Sequence, residues 1–246
     1  MPRFFLENIN TDNPVLTGED ARHIGRSLRM KPGEKITVCS CGTDYFCEIS
    51  SITEDTVFLN IKEQKLCSAE PSVDLTLFQA IPKQDKLEHI IQKSVELGVS
   101  KIVPVLTRRC VSRPDKKDFE KKLVRLNKIA LEAAKQSGRG IIPTVEPMIS
   151  FDEAIIQMKE YDCPAMLYEE GGIRFSELNT QEKKSFALFV GSEGGFDESE
   201  AEAARSRYCV NMAGRKNPEM RNCSPDCHFD FDVYHKKFIN LMLKFI

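Results

Sequence analysis

FALFVGSEGGF, Phe186 to Phe196, is the stretch whose reading decides the fold. A mostly apolar, strand-favouring run passes straight into Gly191, Ser192, Glu193, Gly194 and Gly195, and the acidic, alanine-rich segment Asp197 to Arg205 follows as a helix. The pattern is strand, tight turn, helix. A continuous apolar strand implies burial on both faces, and in open α/β sheets ligands bind at the carboxyl ends of such strands. Glycines let the backbone approach a ligand closely or take positive φ, and Glu193 places a carboxylate among them. An ordinary turn with helix-capping chemistry fits the same letters. The turn has neither the Gly-Lys-Ser/Thr ending of a phosphate loop nor a full GxGxxG spacing.

Outward from this turn, the segments on its amino-terminal side alternate strand and helix. Val73 to Ala80, Ile102 to Leu106 and Ala165 to Tyr168 read as strands, and Ile141 to Val145 as a brief pairing. Lys86 to Leu97, Asp118 to Ser137 and Phe151 to Lys159 read as helices, the first two stopped by Gly98 and Gly138. This is the rhythm of an α/β domain over residues 73–246, preceded by the linker-like CSAEPS at Cys67 to Ser72. Residues 1–70 are different. Phe4 to Leu6, Lys35 to Cys39, Tyr45 to Ile49 and Val57 to Ile61 are short β runs, interrupted by one expected helix over Thr17 to Met30. A small β barrel with one helix bearing Arg22, Arg26 and Arg29 is an architecture common among RNA-binding modules.

The 246 residues, 41% hydrophobic and 29% charged, describe a soluble globular protein with sequence enough for two modest domains. No apolar run approaches membrane-spanning length and the amino terminus lacks a signal-peptide core, so the expected setting is the cytoplasm, without membrane association. The nine scattered cysteines are accordingly expected as reduced thiols. A net charge of −2 gives no global nucleic-acid character, so any such face must be local. Lys117, Lys121, Arg125, Lys128, Lys135 and Arg139 recur close to one helical face, although Glu132 interrupts them and a solvated helix surface is the bland alternative.

PRFFL, EDARHIGRSLRMKPGE, LFQAIPKQDKLEHIIQKSVELGVSKIVPVLTRRCV, KIALEAAKQSGRGIIPTVEP and FVGSEGGFDESEAEAAR occur in this order between Pro2 and about Lys216. Together they resemble the bacterial 16S rRNA uracil-N3 methyltransferase family (RsmE-like) of the SPOUT class. The resemblance implies an amino-terminal PUA-like β barrel for RNA contact and a SPOUT-type α/β domain with a trefoil knot. It further implies S-adenosylmethionine held in that knot, a homodimer with the site near its interface, and a methyl group delivered to N3 of one uridine in the small ribosomal subunit. The turn usually carries proline where this chain has Ser192.

Methyl transfer from a sulfonium is an in-line displacement, so the protein must place the acceptor and exclude water. The N3 proton must leave, which calls for a base or for cationic groups that favour the anion. The candidates for cofactor binding are Gly191, Glu193, Gly194, Gly195, Leu167 and Glu169. Arg109 and Arg139 are the candidates for transition-state or RNA charge, each with an ion pair or a phosphate contact as the alternative. Arg22, Arg26, Arg29, Lys117, Lys121, Arg125 and Lys128 are the candidates for RNA binding. The competing function is a non-catalytic RNA-binding protein whose cofactor site is lost through an altered carboxyl terminus.

After Lys216 the resemblance stops. The family continues with a run like L-G-x-R-I-L-R-x-E-T-A-P and an apolar helix, whereas this chain reads NPEMRNCSPDCHFDFDVYHKKF, with Pro218 and Pro225 opposing an early helix. One adenine added in the codons of Lys216 and Asn217 would account for this. With compatible codons the neighbouring frame reads I-L-R-C-E-T-A-P and then an apolar run. Taken at face value, Cys223, Cys227 and His228 with Cys209 could instead hold zinc. The frame argument explains the same residues without a metal, and none is expected.

Overall fold

The computed structural model describes residues 1–84, 86–168, 182–206 and 210–213, arranged in two units. The first comprises Met1–Glu70 with Ala134–Ile142, and the second Pro71–Ala133 with Pro143–Ile246. Glu169, Cys209 and the whole tail on which the displaced frame and the zinc alternative fall lie outside the described residues.

The first unit is a five-stranded sheet in the order β1-β3-β4-β5-β2. The strands are β1 (Arg3–Phe5), β2 (Val15–Thr17), β3 (Lys35–Ser40), β4 (Thr43–Ile52) and β5 (Thr56–Leu66). The β4–β5 register shifts between Phe46 and Cys47 and again between Ile49 and Ser51. Such bulges add local twist and bend a strand, so the sheet curls around one apolar face as a half-barrel. Phe4, Leu16, Ile24, Ile36, Val38, Ile49 and Val57 fill that face. The helix expected over Thr17 to Met30 is shorter than the sequence suggested. It is α-helical only as α1 (Gly18–Arg22) and widens to a π turn over His23–Ser27. Gly25 lies in the wide turn, where a Cβ would sit 3.7 Å from Ile52, and Ile24 beside it is fully buried. The π turn keeps Ile24 buried in the core of the sheet.

Residues 134–142 join this unit through a polar clamp. Gly138, at φ +73, ends the preceding helix, and the Arg139 N–H turns back to the Ala134 carbonyl at 3.0 Å. The Arg139 guanidinium then donates twice to Glu70, 69 positions earlier, through Nε at 2.9 Å and Nη2 at 2.8 Å. Glu70 Oε1 also accepts the N–H groups of Gly140 at 2.6 Å and Ile141 at 3.0 Å. Arg3 donates to the Arg139 carbonyl at 2.9 Å while paired with Asp44, and a Cβ on Gly140 would lie 2.5 Å from that of Cys67. A side chain at position 140 would have no room. The thiols follow their surroundings: burial pushes Cys39 up to about 12 and Cys47 up to about 11. All six described cysteines are free.

The second unit is an all-parallel sheet in the order β12-β10-β11-β6-β7-β8, with β9 also paired to β7. Its strands are β6 (Asp74–Ala80), β7 (Lys101–Leu106), β8 (Thr144–Val145), β9 (Ile149–Ser150), β10 (Cys163–Tyr168), β11 (Ser185–Val190) and β12 (Val210–Ala213). The connecting helices are α2 (Lys86–Glu96), α3 (Lys116–Ser137), α4 (Phe151–Met158) and α5 (Glu198–Ser206). Parallel strands need crossover helices, and a sheet covered in this way reads as unbroken apolar runs. That is what Phe186–Phe189 are: β11 lies between β10 and β6, and all four residues are buried. α4 starts with a complete capping box, Ser150 and Glu153 each satisfying the other's backbone N–H.

Two expectations concern the clamp. Burial works to raise the Glu70 pKa, but the Arg139 hydrogen bond and charge, with the two N–H donors, outweigh it and hold the carboxyl below its ordinary 4.5. A carboxylate with a depressed folded pKa stabilises fully above its unfolded value and loses that contribution as pH falls through the folded one. Unfolding followed from pH 7 downward should therefore steepen below about pH 4.5 in the native protein and less so in Glu70→Gln. At pH 7, Glu70→Ala should cost about 3–5 kcal/mol in urea unfolding, because it removes the carboxylate paired with a buried guanidinium.

Candidate functional site

The turn after β11 is built by close backbone approach. Ser192 and Gly195 form an isolated bridge, with the Gly195 N–H donating to the Ser192 carbonyl at 2.9 Å. A Cβ on Gly191 would lie 3.1 Å from both the Cα and the carbonyl carbon of Gly195, and 3.3 Å from the Phe196 ring. Gly195 itself has φ +67. These two glycines are therefore required by the turn's own geometry. Phe196 anchors its far side, edge-on to Phe189 at 4.8 Å, and the Phe189 ring also stacks on Phe151 at 5.8 Å.

Two neighbouring loops are tied to the turn. The first follows β6. Gln79 donates to the Gly191 carbonyl at 3.3 Å, and Glu193 accepts the Lys83 N–H on both oxygens at 3.1 Å and the Lys86 ammonium at 2.9 Å. Burial acts to raise the Glu193 pKa, yet Lys86 and the backbone donors bring it below the ordinary value, so it is ionised at neutral pH. Glu193, a candidate for cofactor binding, holds the β6–α2 loop through both of its oxygens.

The second loop follows β7. The Ser192 hydroxyl donates to the Arg109 carbonyl at 3.3 Å, and Arg109 Nη1 donates to the Gly194 carbonyl at 3.2 Å. A Cβ on Gly194 would stand 3.2 Å from that of Arg109. The structure thus brings Arg109 onto the glycine turn with its guanidinium exposed. Arg139 stands differently. It belongs to the first unit, is 2% exposed and is closed in its ion pair with Glu70, the arrangement of a structural pair rather than of a group presented to RNA. The sequence cannot show this, because Glu70 lies far away along the chain.

At the carboxyl edge of the sheet, Leu167 pairs in register with Val190 and Val190 with Gln79. Leu167 and Val190 are half-buried, forming an apolar ledge directly before Gly191. A row of strand ends followed by a turn of bare backbone, with its one carboxylate already neutralised by Lys86, suits an adenosine-bearing sulfonium, which needs apolar walls and main-chain partners. Leu167, Gly191, Gly194 and Gly195 are the described residues that fit it.

Of the basic candidates, Arg22 pairs with Asp55 and Arg26 with Glu54, each at 3.1 Å and largely in solvent, and Arg29 is exposed. Lys117, Lys121, Arg125 and Lys128 all lie on the exposed side of α3, Lys121 bonded to Asp118 and Arg125 to Glu88. Exposed pairs of this kind are worth only about 0–1 kcal/mol, so a phosphate can displace them. The stripe ends at Lys128, since Lys135 lies over the Phe4 ring at 5.9 Å and faces Asp20.

Sequence reasoning missed Glu200. It is 4% exposed and accepts the N–H of Arg108 at 2.8 Å and of Asp197 at 3.1 Å. The Asp197-x-x-Glu200 spacing was the available signal, since an acid three residues past a helix entrance reaches back to its backbone.

The sequence matches the RNA methyltransferase PUA domain over residues 16–62 and the RNA methyltransferase domain over residues 69–213, more than half of the chain. A half-barrel followed by a parallel sheet with this glycine turn defines an RNA methyltransferase of two parts. The ribosomal RNA small subunit methyltransferase E of Bacillus subtilis (strain 168) is 35% identical over 215 residues, covering 82% of this chain and 84% of that protein. The protein of the same name from Mesomycoplasma hyopneumoniae (strain 232) is 28% identical over 205 residues, covering 83% and 86%. A crystal structure of ribosomal RNA small subunit methyltransferase E from Neisseria gonorrhoeae bound to S-adenosyl methionine superposes with a TM-score of 0.78 at 26% identity, covering 88% of this chain and 90% of that one. The chain belongs to the ribosomal RNA small subunit methyltransferase E family.

Gly191→Ala should destabilise the protein by about 1–3 kcal/mol in urea unfolding, because the added methyl meets main chain that cannot give way. The same variant should bind S-adenosylmethionine more weakly than the native protein in a calorimetric titration.

Proposed function

We propose that this protein transfers a methyl group from S-adenosylmethionine to N3 of a uridine in 16S rRNA of the small ribosomal subunit. The observation that carries the reading is the turn at Gly191–Gly195, set at the carboxyl edge of parallel strands with Arg109 packed on Gly194. Family membership supports the substrate, and the bound cofactor of the gonococcal relative supports the methyl donor.

When bound, the cofactor supplies an electrophilic methyl group on a sulfonium. The glycine turn and the ledge of Leu167 and Val190 hold it. Arg109, exposed beside the turn, sets a fixed positive charge where the uracil carries negative charge as its N3 proton leaves to solvent. An arginine in this position acts through charge, not as a base. The target base has to be unpaired or turned outward, since N3 is hidden in a pair. The sheet of the first unit with Arg22, Arg26 and Arg29, and the α3 residues Lys117, Lys121, Arg125 and Lys128, supply phosphate contacts that orient the RNA. The reading extends to a homodimer, the family's trefoil knot and a cytoplasmic setting; its support there is the family resemblance, which stops at Lys216. No helix among the described residues is long and apolar enough to cross a membrane.

The test is transfer of labelled methyl from S-adenosylmethionine to small subunits that lack the modification. The native protein should label 16S rRNA at one uridine, and Arg109→Ala should lower kcat roughly a hundredfold, the scale of removing one charge that stabilises the transition state. RNA binding without cofactor heat or label would favour the non-catalytic alternative. Replacing Lys117 and Lys128 together by alanine should weaken RNA binding and lower the log–log salt slope by about 0.7 for each phosphate no longer neutralised.

A further inference from the structure

The loop after β7 is more heavily fastened than exposed loops usually are, and its fastenings share one arrangement. Arg113 Nη1 reaches the carbonyls of Thr107 and Arg108, each at 3.1 Å, and that of Cys110 at 3.4 Å, gathering the loop from inside. The buried Thr107 donates its N–H to the Cys110 sulfur at 3.4 Å. The Arg108 side chain is spent on α5, donating to the Ser199 hydroxyl at 2.7 Å and facing Asp197 at 3.6 Å. Arg109 alone points its guanidinium at the glycine turn. What fixes the loop's main chain to α5 is Glu200, which takes the Arg108 N–H on Oε1 and the Asp197 N–H on Oε2.

We propose that Glu200 is the positioning residue for Arg109: by accepting the N–H of Arg108 and of Asp197, it sets the next residue's guanidinium against Gly194 at the reacting face. The proposal rests on the function assigned above and deepens it. A carboxylate is suited to the task because both of its oxygens only accept, so two N–H groups from different segments can be satisfied by one buried side chain. An amide of the same size cannot do this. Glutamine would leave one N–H facing an NH2 donor, and the penalty of a buried unmatched donor falls on the Arg108–Asp197 junction. Gly191 keeps its own contact to Gln79, so the loss falls on the Arg109–Gly194 contact and on alignment of the uridine.

The experiment combines steady-state methyl transfer with amide hydrogen exchange on the full chain, for the native protein, Glu200→Gln, Arg109→Ala and the double variant. Glu200→Gln should speed exchange across residues 107–113 and 195–198 while β6 and β11 stay protected. It should lower kcat roughly ten- to a hundredfold, the scale expected of a catalytic group displaced by about 1 Å. In the double variant the loss should not exceed that of Arg109→Ala alone, since both changes remove the same group from its place. Native loop exchange and native kcat in Glu200→Gln, or losses that multiply in the double variant, would overturn the proposal. Should Glu200→Gln not fold, Glu200→Asp, which keeps both acceptors but is one methylene short, should give the same loosening and the same kcat loss. If the native protein labels no RNA, the assigned function fails by itself. Exchange then still decides the matter, faster loop exchange in the variant upholding the Glu200 link and unchanged exchange overturning it.

Discussion

A carboxylate withdrawn from water must find donors, and here Glu70 and Glu193, half-buried, and Glu200, buried, find them in main-chain N–H groups. Glu70 takes the N–H groups of Gly140 and Ile141, Glu193 takes that of Lys83, and Glu200 takes those of Arg108 and Asp197. Each fixes a loop that no strand ladder reaches. Neutral hydrogen bonds contribute modestly, but those to an ionised acceptor are stronger, and leaving such an acceptor unmatched when buried costs several times more. The loops are thereby specified rather than merely tethered.

The consequence differs between the two units. In the first, Glu70 and Arg139 make residues 134–142 part of the half-barrel, although α3, which leads into them, begins in the parallel sheet's unit. The amino-terminal strands are therefore incomplete without a segment that is remote in sequence. In the second unit, Glu193 and Glu200 approach one turn from two sides, through the loop after β6 and the loop after β7. The bare Gly191 lets the turn close on Gly195, and the bare Gly194 lets the loop of Arg109 approach it. A turn of bare main chain becomes a defined surface because its neighbours are locked to it.

Much of this was legible from local pattern. Phe186–Phe189 announced a doubly covered strand, the glycines announced a tight turn, and Gly98 and Gly138 marked helix ends, because each depends on a short window of residues. What escaped depended on distance along the chain. Arg139 read as one of a stripe of cations on α3, yet its partner is Glu70 and its environment is the core of the other unit. Glu200 read as one acid among several in an alanine-rich helix, and only its buried position next to Arg108 distinguishes it. The π turn at His23–Ser27 escaped because helical periodicity does not announce it. The segment after Lys216, where the sequence itself departs from its family, lies outside the described residues.

On the proposed function, the methyl donor binds at the turn after β11 and the strand ends beside it. Amide chemical-shift mapping during titration with S-adenosylmethionine tests it most directly. The largest changes should fall on Val190 to Gly195 and on Leu167 and Tyr168, with the half-barrel amides unmoved. Saturable shifts centred elsewhere, or no shifts in a folded protein, would contradict it.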